Sequence, residues 1–232
     1  MYQLYIANRN YSSWSLRPWV LMREAGIGFA EHLVPFTEGP SGASHARFVA
    51  FSPTAKVPCL HDGDTVVWDS LAIAEYLAER HPGLWPEDAA ARAFARCASA
   101  EMHSGFSALR ERCTMNCGLR IRLAGIPAAL QCDLDRLAEL WNEGLARFGG
   151  PFLAGKRFGI VDAFFAPVAF RLQTYGVTLG EAADAYARRL LELPAMREWE
   201  AEALREPWRD GAHEDDARRA GEIVADLRRE LL

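Results

Sequence analysis

Val57-Pro58-Cys59-Leu60-His61-Asp62-Gly63-Asp64-Thr65-Val66-Val67-Trp68-Asp69-Ser70-Leu71-Ala72-Ile73-Ala74-Glu75-Tyr76-Leu77 is the stretch that decides the fold. Two short apolar runs, 57–61 and 66–68, flank Asp62-Gly63-Asp64, and Asp-Gly between such runs predicts a hairpin. Asp69 then opens a helix through Ala72, Ile73, Tyr76 and Leu77 that closes near His81-Pro82. Upstream, residues 2–7 alternate and are rich in strand formers. Residues 15–25 place Leu16, Trp19, Val20 and Met22 on a helical spacing that ends at Gly26, a C-terminal cap. Residues 29–36 read as a second strand and 43–50 as a short helix. The order β-α-β-α-β-β-α, a parallel βαβ unit followed by a hairpin and a closing helix, is thioredoxin-like.

Downstream the pattern changes. Residues 82–88, rich in proline and glycine, suit a linker. Beyond them the strand signal vanishes, and helical patterns run over about 89–112, 127–148, 161–172, 182–191 and 194–204, with a charged amphipathic stretch over 215–232. The expected architecture is an α/β thioredoxin-like domain over 1–81 and an all-α domain over 89–232. Half of the 232 residues are hydrophobic, enough for one large core or two modest ones. A net charge of −5 argues against a nucleic-acid partner. The five cysteines are an odd number with no CxxC or Cys/His cluster, so neither a disulfide framework nor a metal is expected. No basic leader precedes an apolar run, and no run approaches the ~20 residues of a membrane span. The expectation is a soluble, cytoplasmic protein.

Three segments carry a family resemblance. Ser52-Pro53-Thr54-Ala55-Lys56-Val57-Pro58-Cys59-Leu60 resembles the cytosolic glutathione transferase segment in which an Asn- or Ser-Pro pair precedes Val-Pro-x-Leu. In that family the Val-Pro bond is cis, and the turned backbone of Val57 would offer its N–H and C=O to an extended peptide such as glutathione. Trp68-Asp69-Ser70-Leu71-Ala72-Ile73-Ala74-Glu75-Tyr76-Leu77 resembles the signature Glu-Ser-x-Ala-Ile-x-x-Tyr-Leu, with Asp69 where the family usually has Glu. Asp69 and Ser70 stand at a strand-to-helix junction that can hold the γ-glutamyl carboxylate, cap the helix, or do both. Gly159-Ile160-Val161-Asp162-Ala163-Phe164 resembles the capping box of the helical domain, with Gly159 in place of Ser or Thr. The resemblance implies the glutathione transferase fold, glutathione as co-substrate with no metal, and a homodimer. It places Lys56, Val57, Pro58, Asp69 and Ser70 at the glutathione site.

The same resemblance puts the thiol-activating group in Asn10-Tyr11-Ser12-Ser13-Trp14-Ser15-Leu16-Arg17. A free cysteine-like thiol titrates near ~8.5, so the protein must favour the thiolate. The absence of Cys here points to the serine-type or zeta-like classes. Counting back from the helix, the activating hydroxyl is Ser12 or Ser13. Ser15 reads as the N-cap and Tyr11 as an aromatic wall. The second-substrate pocket is expected at Trp14 and on the helix after the linker, where His103, Phe106 and Arg110 follow i, i+3, i+7. Arg110 either grips a carboxylate or forms a surface pair, and Phe106 lines the pocket or packs inside. The implied function is activation of the glutathione thiolate by a Ser hydroxyl for attack on a small electrophile. Alternatives are a zeta-like cis–trans isomerase of the maleylacetoacetate isomerase kind, from which Ser12-Ser13-Trp14-Ser15 departs, and a non-catalytic glutathione-binding protein.

Overall fold

The strand β1 (Tyr2–Ile6) turns Leu4 and Ile6 inward, and it is the hub of a four-stranded sheet in a computed structural model that describes residues 1–36 and 44–228. Helix α1 (Ser13–Glu24) carries the chain across to β2 (Phe29–Leu33), which pairs parallel to β1. Gly26, at φ +66° just past that helix, supplies the left-handed turn. A four-residue helix α2 (His45–Phe48) follows; the remainder of the predicted 43–50 helix at Ala43 lies outside the described residues. The hairpin of β3 (Cys59–Asp62) and β4 (Thr65–Val67) forms about Gly63, with β3 antiparallel to β1, giving the order β2-β1-β3-β4. Helix α3 (Ser70–Ala78) closes this part with Asp69 as N-cap.

The second part contains α4 (Ala89–Ser104), α5 (Ser107–Arg112), β5 (Leu119–Leu123), α6 (Ala128–Phe148), α7 (Ile160–Tyr175), α8 (Glu181–Glu192), α9 (Pro194–Arg205), α10 (Gly211–Ala220) and β6 (Gly221–Asp226). Two expectations are corrected here. The helix predicted over 89–112 is broken at Gly105-Phe106. The Gly105 N–H still bonds the Glu101 carbonyl, but the backbone there is extended and Phe106 is left-handed at φ +57°. A Cβ on Gly105 would lie 2.8 Å from the Glu101 oxygen, so the close turn needs glycine. The second correction is the antiparallel ribbon β5–β6, where a helix was expected over 215–232 and no strand was expected at all. Residues 229–232 of that stretch lie outside the described residues. The fold class stands: a small mixed sheet with its helices, followed by a helical half that carries one added ribbon.

One core runs through both halves. Trp19 of α1 meets Trp199 of α9 edge-on at 5.1 Å between ring centroids, and both are fully buried. Helix α7 is buried along nearly its whole length and packs on α1, α4 and α8. Its start shows why Gly159 replaces a hydroxyl residue. A Cβ there would stand 2.9 Å from the Leu84 carbonyl of the linker, which also accepts the Ile160 N–H. Asp162 keeps its half of the box by accepting the Gly159 N–H at 2.9 Å.

Candidate functional site

The loop before α1 is shaped from both sides. The Asn8 carbonyl accepts the N–H groups of Tyr11 and Ser12 at 3.2 and 2.8 Å, which turns the chain into the helix. From the helical half, the Glu206 carboxylate accepts the Arg9 and Asn10 N–H groups at 2.8 and 3.4 Å. Asn10 in turn accepts the Gly118 N–H on its side-chain oxygen at 3.0 Å. The serines presented by this loop are therefore held by elements between 108 and 197 residues away in sequence.

Ser12, and not Ser15, is the N-cap: its hydroxyl accepts the Ser15 N–H at 3.4 Å and donates to Ser15 Oγ at 2.7 Å. Ser15 also receives the Ala7 N–H at 3.3 Å. Three cap-competent serines and Pro18 made a later start look favourable in the sequence; the helix starts earlier and takes Pro18 into its second turn. Ser13 differs from Ser12. Its Oγ accepts from Nη2 of Arg171 at 3.2 Å, and among the described residues its own proton has no acceptor. Tyr11 donates to Glu214 at 2.7 Å, and burial, then that bond, push its phenol well up. A phenol so held keeps its proton and stays aimed at Glu214.

Two adjoining cavities open beside this loop and share Trp14, Thr54, Lys56 and Val57. The smaller, of about 440 Å³, adds Pro58, Trp68, Asp69, Ser70 and His103. The Val57–Pro58 bond is cis, and the Val57 N–H and C=O make no hydrogen bond among the described residues. Ser70 is fully buried at the N-terminus of α3, and its Oγ has no partner. Asp69 serves as a cap, accepting the Leu71 N–H at 3.0 Å, and lies 3.3 Å from Nε2 of His103. Burial lowers the His103 pKa, with Asp69 opposing and Arg17 and Arg110 reinforcing.

The larger cavity, of about 580 Å³, has Tyr11, Ser12 and Ser13 on one side, with Arg110, Thr114, Met115 and Arg171 facing them. His213 and Phe36 close another wall, their rings stacked at 5.5 Å, and the Tyr11 ring also stacks on His213 at 4.9 Å. The structure thus divides the three residues expected on one helical face. Arg110 lines the larger cavity, His103 lines the smaller, and Phe106 is buried in the core beyond both. The break at Gly105 separates them; Arg110 folds back to donate to the carbonyls of Gly105, Met102 and His103. Sequence reading missed Arg171 and His213. Arg171 stands inside an apolar helix, where a lone arginine at an otherwise buried position was a usable signal. His213 lay in a charged stretch and offered none.

The family models decide the relationship. The N-terminal domain model of glutathione S-transferase matches residues 11–80, and the C-terminal domain model matches residues 124–202. The chain belongs to the glutathione S-transferase family. Among curated members it is 24% identical over 179 residues to a stringent starvation protein A homolog of Histophilus somni, covering 75% of this chain and 78% of that one. A probable maleylacetoacetate isomerase of Vibrio cholerae is 28% identical over 160 residues, covering 66% and 74%. A glutathione transferase homolog from Burkholderia GL BGR1, solved with bound glutathione, superposes with a TM-score of 0.64 at 23% identity, covering 87% of this chain and 97% of that one.

In this member of the family, the five cysteines are all free. Burial pushes the thiols of Cys59 and Cys113 up to about 11. Among the described residues no group of His, Cys, Asp and Glu is arranged to hold a metal, and no helix is long and apolar enough to cross a membrane.

Proposed function

We propose that this chain is a glutathione transferase in which the Ser13 hydroxyl stabilises the glutathione thiolate for attack on a small electrophile. The observation that carries this is the difference between the two serines. Ser12 spends both its lone pair and its proton inside the helix cap, whereas Ser13 accepts from the Arg171 cation and keeps a proton to donate. A hydroxyl that accepts from a cation is polarised and becomes a better donor to an anion. Ser13 is also the first residue of α1, so the free N–H groups of the first turn add positive potential there. The thiolate then forms the S–C bond with an electrophile held in the larger cavity, either displacing a leaving group that departs with the bonding pair or adding to an activated double bond whose other carbon takes a proton from solvent, and proximity supplies much of the rate.

Glutathione itself fits the smaller cavity. The free backbone edge of Val57 suits its cysteinyl unit, the unpartnered Ser70 Oγ suits the γ-glutamyl carboxylate, and Lys56 stands within reach of the same molecule. The division into 1–81, the linker 82–88 and 89–232, a cytoplasmic setting and a C2 homodimer belong to the same proposal. Single-turnover conjugation with thiolate absorbance titration tests it. Ser13→Ala should lose about 10²–10³ in rate and raise the bound thiol's pKa, while glutathione affinity stays within a few-fold. Wild-type rate and thiol pKa in Ser13→Ala would defeat the assignment. The electrophile panel in the same assay separates conjugation from isomerisation and from reduction. A protein that binds glutathione without acidifying it would be a binding module.

A further inference from the structure

The larger cavity carries more positive charge than one thiolate can balance. Arg110 and Arg171 both line it, and Arg17 lies directly behind Trp14. Arg171 is 5% exposed and Arg17 1%. Their partners are all neutral. Arg110 donates to the carbonyls of Gly105, Met102 and His103, and Arg171 to the carbonyls of Arg110 and Cys113 and to Ser13 Oγ. Arg17 has no hydrogen-bond partner on any of its three side-chain nitrogens and is held between the rings of Trp14 and Phe164, at 4.2 and 4.9 Å. Carbonyl oxygens satisfy N–H groups but leave the formal charge uncancelled.

The nearest carboxylates offset part of this charge, Asp133 acting on Arg110 and Asp69 on Arg17, and each has other partners as well. Asp69 caps α3 and faces His103, Asp133 accepts the Leu109 N–H at 2.9 Å, and Asp216 at the cavity rim pairs with Arg219. Lys56, on the wall shared by the two cavities, adds a further cation. In a chain of net charge −5, this is a local reversal of sign inside a concave, low-dielectric site, the arrangement that concentrates anions. Burying like charges together is costly unless a counter-ion arrives. Ser13 and Arg171 account for the thiolate. Arg110 Nη1 has no hydrogen-bond partner among the described residues, and Cζ lies over the Trp14 ring at 4.7 Å from its centroid. With indole against the guanidinium and carbonyls taking Nε and both hydrogens of Nη2, Nη1 is the group that can donate to an anion.

We propose that the second substrate carries a carboxylate that docks on Arg110 beside Ser13, so that the enzyme selects anionic electrophiles over neutral ones. This rests on the glutathione reading above. Product-like probes test it without turnover: S-benzylglutathione and S-(4-carboxybenzyl)glutathione, titrated by calorimetry at low and high salt. The carboxybenzyl probe should bind at least about tenfold more tightly, with the ratio shrinking as salt rises. Arg110→Gln should bring the ratio to about one, and Arg110→Lys, which keeps the charge but not the reach of Nη1, should retain part of it. Equal binding of the two probes to the wild-type protein, or a full ratio kept in Arg110→Gln, overturns the proposal and leaves the glutathione reading standing. If neither probe binds, both fall together. Because Arg110 also braces the break between α4 and α5, the wild-type ratio decides the matter should the variants misfold.

Discussion

At the scale of single residues, the serine loop shows two hydroxyls one position apart with opposite duties. Ser12→Ala removes a cap and should cost about 1 kcal/mol of stability, with single-turnover rate per folded molecule near wild type. Chemical denaturation alongside the rate measurement separates the two effects; a large loss of rate in Ser12→Ala would move the activating role to it. Ser70 offers a second contrast. Its Oγ is buried and unbonded, so Ser70→Ala should leave the free protein as stable or slightly more stable. Glutathione binding should weaken by about 1.5–3 kcal/mol, the worth of a hydrogen bond to a charged group. Calorimetry showing an unchanged dissociation constant would remove Ser70 from the site. The sequence left Ser12 and Ser13 as alternatives for the proposed activator, because a helix start limits where such a hydroxyl can stand. It could not choose, because the choice depends on Arg171, 158 residues away.

At the scale of elements, periodicity made the sheet half legible: the Asp62-Gly63-Asp64 turn, the β1–β2 crossover and the Asp69 cap all stand where the local pattern put them. The helical half was legible except where a local signal was short. Leu119-Arg120-Ile121-Arg122-Leu123 alternates with period two, but five residues of alternation carry little weight between long helices. Its partner β6 follows α10 without a turn residue other than Gly221, whose Cβ would collide with the Arg122 carbonyl at 2.1 Å. Helix α9 ends in a titrating contact. Burial pushes Glu206, which holds the Arg9 and Asn10 N–H groups, from an ordinary 4.5 up to about 7, with those bonds and Arg9 opposing. The unfolded chain therefore loses this proton first. Between about pH 4.5 and 7 the native state binds more protons, and stability falls as pH rises, by up to about 1.4 kcal/mol per unit. Asp162, raised by burial to about 6, slopes the same way in its own window. Glu206→Gln should flatten the wild-type curve between pH 5 and 7 in urea denaturation, roughly by its own share. Parallel curves for the two proteins would mean that the carboxylate is ionised throughout.

At the scale of the whole molecule, the carboxyl-terminal ribbon is strapped to the loop that carries the serines. Arg228 donates to both oxygens of Glu214 and, at 3.3 Å, to the Tyr11 hydroxyl, and it pairs with Asp226 at 2.6 Å. Burial would raise Glu214, but the bonds from Arg228 and Tyr11 outweigh it and hold the carboxyl below its usual range. The sign is opposite to that of Glu206: this contribution is present at neutral pH and is lost as pH falls through the depressed value. Arg228→Ala strips a buried carboxylate of its cation and should cost on the order of 3 kcal/mol. Hydrogen exchange should show α10 and β6 opening first in that variant, with faster exchange spreading to the Tyr11 loop. Uniform loss of protection across both halves would show that the ribbon is not a separate cooperative unit.

The strap between Tyr11 and Arg228 also bears on how the protein is made. A ribosome delivers the sheet half first, and its strands and α3 can pair as soon as they emerge. The loop bearing Ser12 and Ser13 waits longer, because the groups that hold it in place, Glu206, Glu214 and Arg228, are synthesised roughly two hundred residues after it. A nascent chain can thus have a folded sheet while the serine loop is still unformed, so that the loop is completed only after synthesis has passed Arg228.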